Sequence, residues 1–492
     1  MRRIFSLIFI CLLTGIGLFS CKKDKILTDP SARLQFSKTT IFFDTVFTSI
    51  GSTTRHFTVH NTYNQPITIS HIRLAGGSSS PFQVNVDGVP TVSSGEVQIA
   101  AKDSMYVFVK VTINPNSSLS PVVAMDSILF DFNGKHQDVI LQAVGQNVYL
   151  HKPSSYILMA DGSSVPYSIA TCNDIWKNDK PHLIFNYLVV DSGCTLTMNP
   201  GTKVYLHSGA VLWVYKDATL KVLGSSGPSN IVNFSGDRLE SDYANIPGQW
   251  GNIWLSALSH HNEINWAVIK NGSIGILADT VEPKFAGVPT LRLTNTIIEN
   301  MSVAGIYSQG ASIVAKNVLV SNCAQYSAAI TIGGSCSFSQ CTFGDYYNIS
   351  NRSTPEILIN NWYTDVNSKV QVRNLDSAHF YNCIVYGSLD EELKMDSVMS
   401  AGVHFKYKFD HCLLKSGNTN AVPSRFVGNR FGSASDPTFD PLFGDTGDNI
   451  LTIGATGGAV GFCIPCTPPI NTDLAGKPVA NPAQPDAGAL QH

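Results

Sequence analysis

"HFYNCIVYG", His379 to Gly387, is one of five stretches that superpose on a single frame. The others are "LRLTNTIIEN" (291–300), "SIVAKNVLVSN" (312–322), "SFSQCTFGD" (337–345) and "KFDHCLLKS" (408–416). The key position of the frame holds Asn295, Asn317, Gln340, Asn382 and His411, separated by 22, 23, 42 and 29 residues. Two residues earlier stand Leu293, Ala315, Phe338, Phe380 and Phe409, and directly after come Thr296, Val318, Cys341, Cys383 and Cys412. An earlier copy, "EINWAVIKN", places Trp266 at the key position, while Asn271, Asn300 and Asn322 align as a second column. Each copy alternates on period two, the mark of strand, and repetition in this range of lengths marks a solenoid.

The expected fold is therefore all-β, and over residues 149–492 a right-handed parallel β-helix, with about one turn of three short strands per copy. A column of amides at a bend bonds the same group above and below while satisfying irregular backbone. The residue after it points inward and must be small and apolar, so Cys341, Cys383 and Cys412 are expected to behave as buried hydrophobes. The Phe column is expected to form an internal aromatic stack, and His411 to cap the end of the amide ladder. A metal site needs converging His or Cys at ligand spacing. This column sets Cys among Phe, Val and Leu, so neither a metal nor another cofactor is expected.

Residues 34–148 follow a different pattern. "RHFTVHN", "QPITISHIRL", "FQVNVDG" and "MYVFVKVTI" alternate as short strands, and "SILFDFNGKHQDVILQAVGQ" is a hairpin turning at Asn133-Gly134. Seven or so strands in this span predict an immunoglobulin-like β-sandwich. No Cys lies between residues 22 and 171, so no disulfide joins its sheets. With 43% hydrophobic and only 14% charged residues, the 492-residue chain suits a β-rich exported protein. The basic, clustered footprint of a nucleic-acid binder is missing. After the N-terminus no run approaches the roughly eighteen apolar residues needed to span a bilayer.

At the N-terminus, Arg2 and Arg3 precede an apolar run from Ile4 to Phe19, the size of a signal-peptide core. It ends in Leu18-Phe19-Ser20-Cys21, which resembles the lipobox of bacterial lipoproteins. The resemblance implies removal of residues 1–20, lipid (palmitate among its acyl chains) on Cys21, and a tether over 21–33. Loss of Arg2 and Arg3 takes the formal charge from −3 to −5. Lys22 after the lipidated Cys implies placement at the outer membrane, periplasm-facing or on the cell surface. The 34–148 segment resembles the abnormal-spindle/hydin type of immunoglobulin-like module, with Asn61 at its strand-ending Asn. "LTMNPGTKV" (196–204) resembles the entrance rung of bacterial β-helix proteins, and "GQWGNIWL" (248–255) their W-G-x-I rung. "DPLFGDTGDNILTI" and "TDLAGKPVANPAQPDAGAL" resemble their closing segment, with Val479 where Arg is usual. The combination is similar to surface lipoproteins of the β-helix repeat family.

Of eleven Cys, nine follow Cys21, an odd number for an oxidising compartment. Cys463-Ile-Pro-Cys466 is expected to form a local disulfide, and Cys172 with Cys194 a second, closing the N-terminal cap on the first rung.

Two functions compete. The preferred one is non-catalytic binding or display by a monomer, with glycan or another surface protein meeting a lateral face. Trp213, Tyr215, Trp250 and Trp254 are its candidate contacts. The alternative is a polysaccharide lyase or glycoside hydrolase. That needs carboxylates placed across a sugar, for which Asp237, Asp242, Asp390 and Glu392 are the candidates. It is distinguished by three or more charged groups on one lateral face. Finally, Asp followed by Ser or Thr and an apolar residue recurs, resembling an O-glycosylation sequon of some Gram-negative bacteria. The acceptors would be Thr45, Ser104, Ser127, Thr280, Ser377 and Ser397. The same Asp side chains also suit bonding to nearby backbone at strand ends.

Overall fold

A computed structural model describes residues 25–91, 93–115, 122–159, 161–279, 287–417, 422–433 and 437–492. The expected signal peptide (1–20), Cys21 and Thr280 lie outside the described residues. Contacts divide the chain between Asn147 and Val148 into two units.

The first unit is the β-sandwich. One sheet orders Gln35–Phe36, Arg55–His60, Ser104–Val111, Phe82–Val86 and Val89–Thr91; the other orders Thr40–Phe47, Lys135–Gln146, Val122–Phe132 and His71–Leu74. Alternation turns Phe43, Phe57, Phe130 and Phe132 into a shared core. Asn133 and Gly134 both have positive φ, 48° and 76°, the hairpin turn their pairing predicts. Asn61 is buried at the end of its strand, its amide donating to the carbonyls of Gln65, Ile99 and Ala100.

The second unit is a parallel β-helix. Strands stack in register from rung to rung in one 19-stranded and one ten-stranded sheet. A single antiparallel pair, Ser155–Leu158 with Ser164–Ile169, starts the latter. Each rung runs along a first face, bends, runs along a second, and crosses to the third, which the ten-stranded sheet forms. Strands Leu291–Met301 and Ser312–Cys323 pass through the first bend unbroken.

The bend explains the ladder. Trp266, Asn295, Asn317, Gln340, Asn382 and His411 all have φ between 49° and 56°, and Asn300 and Asn322 of the second column are also left-handed, at 57° and 51°. Left-handed backbone is costly for most side chains but tolerated by Asn. The amides then bond along the axis: Asn317 to Asn295 at 2.8 Å, Asn295 to Asn265 at 2.9 Å and Asn382 to Gln340 at 3.1 Å. His411 departs from expectation: its ring turns to Asp410, at 2.7 Å, rather than capping Asn382. Inside, Phe338, Phe380 and Phe409 stack as expected, and Phe426 extends the column.

The outward side of the second face is apolar. Ile297, Leu319, Thr342, Ile384 and Leu413 follow one another in register. The closing segment lies over them as a strap. Leu451, Leu474 and Ala489 pack on Leu319, while Ile453, Ala459 and Ala487 join the cluster of Ile384 and Leu413. At the opposite end the solenoid begins with a ring stack: Trp176 lies 3.7 Å from His182, and His151 meets His182 nitrogen to nitrogen at 3.0 Å. The disulfide Cys172–Cys194 closes this end.

Candidate functional site: the lateral faces

The Asn382-Cys383 pair at the heart of the repeat is interior. Cys341, Cys383 and Cys412 are free and wholly buried. Burial pushes the Cys383 and Cys412 thiols well above their usual range, so they lack the thiolate that nucleophilic or ligating Cys requires. Cys463 and Cys466, expected to bridge, are instead both free. Cys463 donates to the carbonyl of His411 at 3.2 Å and Cys466 to Oε1 of Gln340 at 3.3 Å. The loop is thus anchored by separate bonds to the ladder. No group of three or more His, Cys, Asp and Glu among the described residues has the arrangement of a metal site.

The four acidic candidates do not come together as one site. Asp237 takes a bond from His207 at 2.6 Å, and Asp242 is exposed in the short turn Ser241–Tyr243. Beside them Arg238 pairs with Glu240 and covers the ring of Tyr243 at 3.7 Å. Asp390 is exposed, but Glu392 is fully buried, which corrects its candidacy as a carboxylate facing a sugar. Arg352 grips it through Nη1 and Nη2, at 2.7 and 2.5 Å. Its oxygens also accept the backbone N–H groups of Glu356 and Leu389.

Asp345 and Glu356 complete this buried cluster, which ties the loops of successive rungs. Asp345 accepts from the backbone of Cys323 and Tyr347, and Glu356 Oε1 from the backbone of Asp345. Only a glycine fits at 387, since a Cβ there would sit 2.3 Å from Glu356 Oε1 and 2.5 Å from Glu392 Oε1. Burial raises Asp345 to about 7 despite Arg352, and raises Glu356 well above its usual range, with Glu392 adding to the effect. Arg352 and Glu392 were not legible in the sequence as partners, because no spacing rule brings an Arg of one loop to an acid 40 residues on.

Among the aromatics, Trp250 is the correction. It is fully buried, its indole N–H donating to the carbonyl of Lys270 at 2.9 Å and its ring against Gly272. Trp213 and Trp254 do face outward, in register on the third face between inward Leu212, Val214, Ile253 and Leu255. Their rings stack at 4.7 Å and 8°, with Tyr187 and Tyr215 edge-on to Trp213. Stacking consumes one face of each indole, and Val189 and Leu277 are the register neighbours on either side of the pair, so it presents edges rather than a broad platform. Trp254 is fixed by a 2.7 Å bond to Asp279, whose carboxyl burial pushes upward. Leu277 and then Tyr307 continue the column on the following rungs.

A group that sequence reasoning missed lies on the first face of the last rungs. Lys408 and His411 both bond Asp410, at 2.5 and 2.7 Å, and His379 stands 3.9 Å from it. Burial raises the Asp410 carboxyl, but these bonds outweigh it and hold the group below its usual range. His379 is lowered, by burial first and Lys408 second. The alternation of "HFYN" and "KFDH" puts these residues opposite the inward Phe column, a signal that was available.

At the glycosylation sequons, Asp44, Asp103 and Asp126 each accept the backbone N–H of the following residue, at 2.8, 2.8 and 2.7 Å. Their local bonding thus takes the form that strand-end Asp residues favour. Ser397 is exposed, and Thr45, Ser104, Ser127 and Ser377 are half-buried.

No family model matches the chain, and no curated protein does. Among solved structures, the catalytic domain of a GH87 alpha-1,3-glucanase in complex with nigerose is similar over 76% of this chain and 86% of its own, at 10% identity and a TM-score of 0.19. A family 123 glycoside hydrolase from Clostridium perfringens matches at 12% identity and a TM-score of 0.17, over 23% of this chain and 25% of the hydrolase. The chain thus spans about a quarter of that enzyme's length. The PapD-like domain 7 of human CEP192 matches at 12% identity and a TM-score of 0.16, over 25% of this chain and 92% of that domain. At TM-scores this low the likeness says nothing of substrate or activity.

Proposed function

We propose that this chain is a lipid-anchored protein of the outer membrane, held through Cys21, whose β-helix binds glycan along a lateral face without cleaving it. The observation that carries the reading is the outward Trp213–Trp254 stack, flanked by Tyr187 and Tyr215 and continued by Tyr307. A column repeating at rung spacing, about 4.8 Å, suits a linear polymer. Amphipathic rings bind sugars with little loss of side-chain freedom. The test uses a soluble form starting at Lys22 and a panel of neutral and acidic polysaccharides. Binding by at least one, weakened by Trp254→Ala with the melting temperature unchanged, supports the reading; binding indifferent to Trp254→Ala sinks it. Lipid on Cys21 is tested by labelling cells with an acyl-chain probe, the label being lost in Cys21→Ser.

The second reading, a lyase or hydrolase, is favoured by one observation: His379, Lys408 and Asp410 share one face with Tyr381. New reducing ends or unsaturated uronides from any polymer of the panel would establish it.

A further inference from the structure

The first face of the solenoid carries an excess of cations on an acidic chain. One outward column reads, in register, Lys221, Glu263, Arg292, Val314, Ser337, His379 and Lys408. Arg425 precedes Phe426, the partner of Phe409, and so stands one rung beyond Lys408. The neighbouring column reads Lys316, Ser339, Tyr381 and Asp410. Counting also Lys406 and Asp376 on the same strands, six Lys and Arg against three acids leave +3 on this face (6 − 3), while the whole chain is formally −3. Lys221 is spent on Glu263 at 3.2 Å and Lys408 on Asp410 at 2.5 Å. Among the described residues Arg292, Lys316 and Arg425 make no ion pair, Lys316 donating to the carbonyl of Pro468 and Arg425 lying over Tyr407 at 4.6 Å.

We infer that this face binds an acidic polysaccharide laid along the solenoid axis, its carboxylates taken by Arg292, Lys316 and Arg425. The occupant follows from charge complementarity and spacing. Arg292 and Lys316 lie one rung apart and Arg425 four rungs further on, which suits the sparse charge of a long uronic-acid polymer, whereas duplex nucleic acid presents a charge every 1.7 Å or so. Between the cations, Ser337 and Ser339 offer hydroxyls to sugar oxygens, while the Tyr381 hydroxyl is engaged with the carbonyl of Pro465 at 2.9 Å. Guanidinium groups engage carboxylates through two parallel bonds. The inference rests on glycan binding as the protein's role but on different residues from the Trp213–Trp254 column.

The experiment measures binding of the soluble chain from Lys22 to polygalacturonate and to its fully methyl-esterified, neutral form. The expected result is affinity for polygalacturonate about tenfold or more above that for the ester, falling steeply between about 50 and 300 mM salt. The double variant Arg292→Glu/Arg425→Glu should lose about tenfold or more with its melting temperature kept. Equal binding of the ester, indifference to the double variant, or equal affinity for duplex DNA would each overturn the inference. If Trp254→Ala abolishes binding of both polymers, the aromatic reading stands and this one fails. Release of unsaturated uronides from polygalacturonate would keep the ligand class and overturn the non-catalytic role.

Discussion

The ring of Phe380 lies 4.7 Å from that of Phe409, tilted by 11°, one rung apart inside the solenoid. Phe338 and Phe426 continue the column on either side, at 4.9 and 5.2 Å. Each ring is both core filler and spacer for its neighbours. Phe380→Ala is therefore expected to cost about 3–5 kcal/mol and Phe380→Leu clearly less, read from urea unfolding. A loss below about 1 kcal/mol for the alanine variant would mean the column is not close-packed.

Backbone and amide contribute separately to the ladder. Asn317 combines a φ of 56° with a 2.8 Å bond to Asn295. Asn317→Gly keeps the conformation and loses the bond, whereas Asn317→Ala loses both. The alanine variant should be the less stable by about 1 kcal/mol, and equal stabilities would contradict the left-handed bend.

The thiols give a count. A chain starting at Lys22 has nine Cys, of which two are joined as Cys172–Cys194. Seven free thiols (9 − 2) should titrate on denaturation without reductant, and essentially none in the native state, since all seven are buried. Five on denaturation would restore a Cys463–Cys466 bridge.

The acidic cluster makes stability fall with rising pH. Asp345 titrates near 3.8 unfolded but about 7 folded, and burial raises Glu356 well above its usual range as well. The folded state holds the extra protons, so this contribution is complete below pH 3.8 and is lost as pH climbs through about 7. The slope is about 1.4 kcal/mol per pH unit for each proton held. Glu356→Gln, neutral at every pH, should flatten the decline between about pH 5 and 8 seen in urea midpoints; an unchanged slope would count against a protonated Glu356.

The ring stack at the opposite end acts in the other direction. Burial lowers His151 from 6.5 to about 4, and burial with His151 nearby lowers His182 to about 3. The unfolded chain then binds more protons, so this contribution is whole above pH 6.5 and is lost as pH falls toward 4. His182→Phe keeps a flat ring over Trp176 and should remove part of that acid loss. The two slopes oppose one another below neutrality, so the wild-type curve alone conceals both.

The repeat itself was legible because a left-handed bend, an inward slot and period-two alternation each leave a residue type at a fixed offset. Asn317, Cys383 and Phe380 could be placed by counting. Apart from His411, whose ring turns to Asp410, the residues read wrongly belong to segments without a repeat. Trp250 follows no column, so outward and inward were indistinguishable until Lys270 and Gly272 were seen to enclose it. Glu392 looked like a charged turn because its partner Arg352 sits in a separate insertion. Cys463 and Cys466 have the spacing of a loop disulfide, and only the proximity of His411 and Gln340 gives each thiol another use.

The strap over Ile297, Leu319, Ile384 and Leu413 is translated after every rung it covers. Until it arrives, a greasy stripe runs the length of those rungs in plain view of chaperones and proteases. A chain cut short within the strap would have its full set of stacked rungs yet carry that stripe permanently. The covering thus works as a seal of completeness, by which finished and unfinished molecules can be told apart from outside.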